Sequence, residues 1–559
     1  MEHTTVYPAR IVRTMDPARP TAEAVAVRGE RIRAVGSVSE LMAYPGAVLD
    51  ERYADTVLLP GFVEAHSHAG SGNVWADTYV GFVDRIAPDG RRWPGCRTID
   101  EVLDRLRAAE TELQDPNEPL MAWGLDPIYF PGRPLAAAEL DRVSTTRPIH
   151  VSHTSGHVCA VNSAVLRRFG IDASTRVAGV VRNDAGEPTG ELQEFAAMGL
   201  VGELVEGSGL LDINPEALHR FAQEGVNTGT TTLTDLGTRL LMDDDGVALY
   251  RSTVDEDFPI RLNVFHFGAG VGRFALSLPE AAERLVRLRE ISTTKLRFGN
   301  VKLMLDGSIQ GFTARLRDPG YLGGQPNGIW NVSPEEFREA FEVFHRAGLL
   351  VHVHCNGDQA TQLFLDTLET ILTAHPRPDH RHTCTHSQLS TAAQYRRMAA
   401  LGMCANIFAN HIWAWGDQHI DVTVGPDRAA RMNAAATALR LGVPISLHSD
   451  TPVTPLGPLH AVKHAATRLT VSGRIMGEHE RIGVQEALES VTIGGAYMLK
   501  MDHEVGSLEA GKLADLAVLA EDPLAVEPEH IGDIHVLGTV VGGRHRATKA
   551  AAPSEVPAS

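Results

Sequence analysis

Short apolar runs recur through the middle of the chain, separated by stretches in which apolar residues fall on one helical face. Eight runs read as strands: Val57–Ala65, Thr230–Asp235, Arg261–Phe267, Asn300–Leu305, Leu349–His354, Arg381–His386, Met403–Phe408 and Pro444–His448. Compact apolar runs of this kind suit strands buried on both faces. Between them, Pro334–Ala347, Asp358–Thr373 and Thr391–Leu401 carry the helical period. Strand and helix in alternation predict a parallel sheet, and eight repeats close a (β/α)8 TIM barrel.

The two ends follow another pattern. Ala24–Val27 and Ile32–Gly36 flank a turn at Gly29, as in a hairpin. Ala514–Leu519 and Ile534–Val541 read as further short strands. The expected organisation is α/β: a composite β-sandwich built from residues 1–57 and 500–548, and a barrel over 58–499. The stretch from about 70 to 225 exceeds any single βα connection, so it reads as an inserted subdomain. Leaving the barrel after its first strand, it is placed to cover the C-terminal face as a lid. Residues 549–559 have the composition of a disordered tail.

Charge and cysteine content narrow the class. A formal net charge of −19 argues against nucleic acid or an anionic membrane as partner. The 5 cysteines show no CxxC spacing, and the N-terminus has no basic-then-apolar leader pattern. A cytoplasmic enzyme with a small-molecule substrate is the expectation, with a homodimer as the commonest assembly.

Candidate chemistry gathers at the predicted strand ends. His66 and His68 alternate onto one face, a two-nitrogen clamp for a metal. Lys302 lies in an apolar strand; pairing with Asp306 is the plain explanation, a reactive desolvated amine the other. His354 sits nearer its strand end than His352, which reads as packing. His386 ends the sixth strand. Asp450 fits either a helix N-cap before Pro452 or a ligand following His448-Ser449. Cys355 and Cys384 alternate away from the neighbouring histidines and read as core. Trp123, Asp126 and His157 from the insertion, with Trp413 and Trp415 in a loop after strand seven, are candidates to line a substrate pocket.

The set Pro60-Gly61-Phe62-Val63-Glu64-Ala65-His66-Ser67-His68, Lys302 with Asp306-Gly307, His354 with Gly357-Asp358, His386, and Ser449-Asp450 resembles the amidohydrolase superfamily. Within it, the chain resembles the amidohydrolase-3 branch, the YtcJ-like and N-substituted formamide deformylase-like proteins. The resemblance extends to Gly156-His157 and the closing Gly506-Ser507-Leu508-Glu509-Ala510-Gly511. It implies one or two divalent metals, usually zinc. His66, His68 and Asp450 would hold the buried ion, and His354 and His386 the second. Lys302, carbamylated to N6-carboxylysine, would bridge the two. Thr385-His386-Ser387-Gln388 and Ser449-Asp450-Thr451-Pro452 depart from family runs at neighbouring positions, so a relative's substrate does not transfer.

The implied reaction is hydrolysis of an amide-type, non-peptide C–N bond, such as that of an N-substituted formamide or N-acyl amine. A metal-acidified water attacks while Asp450 acts as general base and then acid. Alternatives are opening of a lactam- or hydantoin-like ring, or deamination on the same fold. Deaminases of this type carry a glutamate where Gly357 stands. A non-catalytic metal-binding barrel is the remaining reading, and the complete ligand set argues against it.

Overall fold

The computed structural model describes residues 3–132, 134–205, 213–268 and 276–549. The predicted tail from 550 onward lies outside them. Eight parallel strands form one sheet: β1 (Phe62–Val63), β2 (Thr230–Thr238), β3 (Arg261–Phe267), β4 (Leu296–Met304), β5 (Leu350–Cys355), β6 (Thr383–His386), β7 (Cys404–Ile407) and β8 (Ile445–Leu447). Each pairs with its sequence neighbour, the order a TIM-like α/β barrel requires. All seven strands from β2 onward are wholly or largely buried, which explains their near-continuous apolar runs. Helices Pro334–Arg346, Asp358–Ala374 and Ala392–Leu401 lie where the helical period predicts. The first and third start on capping boxes, Ser333 with Glu336 and Thr391 with Gln394.

Two local expectations change. The predicted strand Val57–Ala65 is broken at Gly61: Val57–Pro60 joins a different sheet, and only Phe62–Val63 enters the barrel. At the break, Gly61 N–H donates to Asp515 O, and a Cβ on Gly61 would stand 2.1 Å from Thr231 Oγ1. Gly61→Ala is expected to destabilise the chain by about 1–3 kcal/mol, since the rigid Thr231 side chain cannot swing away. A denaturant midpoint no lower than that of the native sequence would contradict this. The stretch around Trp413, read as a loop, is instead the helix Asn410–Gln418, followed by a π-helical turn over His419–Thr423. Its polar and aromatic residues hid the helical spacing.

Strands 4–13, 21–28, 31–36 and 57–60 pair with 516–519, 536–541 and 544–547 in one eight-stranded sheet, the short strand 47–49 lying beside 4–13. Residues from both chain ends thus share one hydrogen-bonded ladder. Residues 78–193 contribute a six-stranded mixed sheet. It meets the helix after β7 and the loop after β8 through Trp415 Nε1 to Asp126 Oδ2 (2.7 Å), Thr154 Oγ1 to Val453 O (3.1 Å) and Arg85 Nη2 to Pro452 O (3.0 Å). No helix among the described residues is long and apolar enough to cross a membrane.

Candidate metal centre

The ends of β1 and β8 exchange no ladder hydrogen bonds, and a buried carboxyl group, pushed up to about 8 by burial, joins them instead. Glu64 accepts from His66 N (3.2 Å), Ser449 N (3.2 Å) and Ser449 Oγ (2.9 Å). His68 N–H also donates to Thr451 O at 3.2 Å. On the other side, Ser67 pairs with Asp235 of β2, and Asp235 accepts from Ala69 N (3.1 Å) and the Tyr250 hydroxyl (2.6 Å). His66 and His68 are therefore in an extended loop just beyond β1. The alternation expected of a strand persists because Ser67 still bridges to β2.

This places His66 Nε2 3.0 Å and His68 Nε2 3.3 Å from Asp450 Oδ1. One ligand atom each from His66, His68 and Asp450 falls within 4.8 Å of the others, as does a set from His66, His386 and His448. His386 Nδ1 is 3.8 Å from Asp450 Oδ2, and its Nε2 is 2.9 Å from His354 Nδ1. Burial alone would raise the Asp450 carboxyl, yet the surrounding His66, His68 and His386 hold it well below the usual carboxylate range. His386 and Asp450 both have positive φ, 68° and 56°, a backbone that non-glycine residues adopt at some energetic cost.

Lys302 is buried on β4 with no hydrogen-bond partner for Nζ, and burial pushes it down to about 7. The pairing with Asp306 considered from the sequence is absent. Asp306 instead accepts backbone N–H groups of Asn356 (3.0 Å), Gly357 (2.8 Å) and Arg315 (2.9 Å), which pins the turn after β5 and so places His354. The N-cap reading of Asp450 also falls, because the next helix is Pro458–Thr467. His352 is buried lower in the barrel against Phe265, ring centroids 4.8 Å apart. Cys355 and Cys384 belong to the main hydrophobic core.

Of the pocket candidates, His157 comes to the centre, its ring centroid 5.4 Å from that of His354. Its Nδ1 is 2.9 Å from Glu194 Oε2. Trp123 packs on Tyr79 and Trp75, with the Arg85 guanidinium over its ring. Trp415 donates to Asp126, whose carboxyl burial raises to about 6. Trp413 stacks on His464 at 5.5 Å. Both tryptophans border the seam between the inserted sheet, the helix after β7 and the loop after β8, together with Tyr79, Phe82 and Tyr129.

Sequence reasoning assigned no role to His448, Glu64, Asp235 or Glu194. His448 stands two residues before Asp450, the spacing of His352 and His354, and could have been found that way. An acid inside the apolar run before His66 was a signal for Glu64. Glu194 had none, being 37 residues from its partner His157.

The residues fit a divalent ion. His66 Nδ1, His68 Nδ1, His386 Nδ1, both His448 nitrogens and Lys302 Nζ are buried without a hydrogen-bond partner. Such a density of unsatisfied polar atoms is costly unless something binds them, and imidazole with carboxylate suits zinc-like ions.

Buried histidines elsewhere set an acid limit. Burial lowers His150 to about 4, and His153 and His419 to about 3. Below pH of about 6.5 the unfolded chain binds protons that the folded one refuses. Stability is thus intact above that value and falls with acid, by about 1.4 kcal/mol per pH unit for each such histidine. Denaturation midpoints unchanged between about pH 7 and about pH 5 would contradict this.

The family model described as Amidohydrolase family matches residues 54–547. Three curated relatives align almost end to end. Protein LONG AFTER FAR-RED 3 of Arabidopsis thaliana is 28% identical over 95% of this chain and 89% of its own length. The putative amidohydrolase YtcJ of Bacillus subtilis is 26% identical, over 96% and 98%. The N-substituted formamide deformylase of Arthrobacter pascens is 27% identical, over 95% and 96%. Among solved structures, a metal-dependent hydrolase from Pyrococcus horikoshii superposes with a TM-score of 0.70 at 17% identity, covering 94% of this chain and 99% of that one, a likeness of fold. The chain belongs to the amidohydrolase family and is a hydrolase acting on carbon–nitrogen bonds.

Proposed function

We propose that the protein hydrolyses an amide-type, non-peptide C–N bond of a small molecule, an N-substituted formamide or other N-acyl amine. The observation that carries this is the meeting of His66, His68 and Asp450 with His354 and His386 at the C-terminal end of the barrel. His66, His68 and Asp450 would hold one divalent ion, zinc by donor type, and His354 and His386 a second. Lys302, whose buried Nζ has no hydrogen-bond partner, would bridge them as N6-carboxylysine. His448 is an added candidate beside His66 and His386.

An ion held there would acidify water and polarise a carbonyl. Asp450 takes the proton of the attacking water as the C–O bond forms, then returns it to the leaving nitrogen as the C–N bond breaks. The aromatic seam of Tyr79, Phe82, Tyr129, Trp413 and Trp415, with Trp123 and Asp126, would receive the nitrogen substituent, and His157 would contact the acyl group. We read the span expected over 58–499, less the strand that ends at Pro60, as the catalytic barrel with 70–225 inserted, and the chain ends, 1–57 and 500–548 with that strand, as an accessory domain. The protein is read as a cytoplasmic enzyme.

Deamination is disfavoured at Gly357. A Cβ there would stand 1.8 Å from Arg315 O, leaving no room for a glutamate. Cyclic amides remain the second substrate class, since ring opening needs the same groups.

The test is ion content together with a screen of N-formyl amines, N-acyl amines and lactams on zinc-, manganese- and cobalt-loaded protein. One to two ions per chain and turnover of an open-chain amide are expected. A purified chain that takes up no ion and stays inert overturns the reading. His386→Ala is expected to lower ion stoichiometry by one where two are held. Unchanged stoichiometry would remove His386 from the ligand set.

A further inference from the structure

Glu194 enters from the inserted sheet and makes two contacts with one residue. Its Oε2 lies 2.9 Å from His157 Nδ1, and its backbone N–H donates to His157 O at 2.7 Å. It follows strand 188–193 with φ at 60°, a conformation a glutamate holds only where surrounding contacts enforce it. Both side chains are buried, 3% exposed for Glu194 and 9% for His157. The second carboxylate oxygen, Oε1, is buried without a hydrogen-bond partner and faces Gly307, where a Cβ would come within 2.3 Å of it. Thr313 Oγ1 would be equally close to that Cβ, at 2.2 Å, so Gly307 is hemmed in by both side chains. The same Gly307 O accepts from Asn356 Nδ2 (2.8 Å) and is 3.4 Å from His354 Nε2. The inserted sheet therefore touches the centre through Glu194 and His157, between β4 and β5.

We propose that Glu194 is a positioning residue for the hydrolysis: through His157 Nδ1 it fixes the His157 ring beside His354. This rests on the amide-hydrolase reading above. A carboxylate on Nδ1 holds a proton at that nitrogen and fixes the orientation of the ring. The arrangement gives the insertion a chemical role as well as a covering one. It also couples pocket to centre, because any shift of the inserted sheet moves the His157 ring. No bond to Glu194 forms or breaks in the reaction.

Glu194→Gln keeps the shape and removes the charge. In the full-length, metal-loaded chain it is expected to lower kcat on the order of 10- to 100-fold with a smaller change in KM. The pH–rate profile should shift, ion content should stay that of the unsubstituted chain, and Glu194→Asp should recover part of the loss. Selective ¹⁵N labelling of histidine in the unsubstituted chain gives a readout that needs no substrate. The His157 resonances, assigned by loss in His157→Gln, should report the proton on Nδ1. Unchanged kcat, KM and pH profile in Glu194→Gln, or a proton on Nε2 with Nδ1 bare, overturns the proposal. Loss of ion from Glu194→Gln also overturns it, because Glu194 would then act on the ligands. Asp450→Asn run in parallel separates the two readings. If it is inert while Glu194→Gln is fully active, only the role of Glu194 fails; if it is active, the amide-hydrolase mechanism fails as well.

Discussion

Replacing Asp450 with Asn is expected to lower turnover on the order of 10²–10⁴-fold while leaving the fold and its denaturation midpoint nearly intact. The carboxylate is buried at the end of β8, with His66 Nε2 at 3.0 Å, His68 Nε2 at 3.3 Å and His386 Nδ1 at 3.8 Å from its oxygens. Those imidazoles keep it ionised against the pull of burial, the state the proposed general base requires. An amide has nearly the same shape and can still accept hydrogen bonds, but it cannot take a proton. Initial rates on the best amide from the screen, with ion content measured on the same sample, check the expectation. A variant that retains its ion and more than about a tenth of the rate would move the proton transfer to another group.

Asp515→Ala is expected to cost about 3–5 kcal/mol of stability, the range for stranding one member of a buried ion pair. Arg261 on β3 is 1% exposed and Asp515 3%, and they meet through Nε to Oδ2 at 2.6 Å and Nη2 to Oδ1 at 2.9 Å. Asp515 Oδ1 also accepts from Gly542 N at 2.8 Å, and its carbonyl from Gly61 N at 2.9 Å. One residue thereby joins the barrel, the break after strand 57–60 and the C-terminal strands. Without the carboxylate, the guanidinium keeps its hydrogen bond to Thr294 O at 2.9 Å. Asp515→Asn, which preserves the shape and one acceptor, should lose less. Chemical denaturation of the full-length chain measures both, and a loss under about 1 kcal/mol for Asp515→Ala would mean that water reaches the arginine.

Much of the barrel was legible because burial on both faces leaves a plain mark. β3 was read to the residue, and β5 to β8 within two residues at either end. The first strand was misread for a reason the linear pattern hides. Val57–Leu59 and Phe62–Val63 are equally apolar, yet they belong to different sheets, and the break between them falls at Gly61, packed on Thr231 and bonded to Asp515. The helix Asn410–Gln418 was missed because its buried face includes Asn410, His411 and Trp415. That face serves polar neighbours: His411 lies 2.9 Å from His419 and 3.2 Å from Gln310.

The sequence by itself determined the βα alternation, the family resemblance and the residue types at each strand end, because burial and ligand chemistry act on residue identity. Tertiary structure alone decided which of those residues meet. Lys302 and Asp306 are four apart, yet the carboxylate is spent on three backbone N–H groups while Nζ has no hydrogen-bond partner. His448 joins His66 across 382 residues only because β8 and β1 end side by side, tied by Glu64. His157 reaches His354 only because the inserted sheet folds over the barrel mouth and Glu194 holds the ring there. Such contacts depend on how the ends of separate strands are brought into register by long-range hydrogen bonds, and no local spacing encodes that.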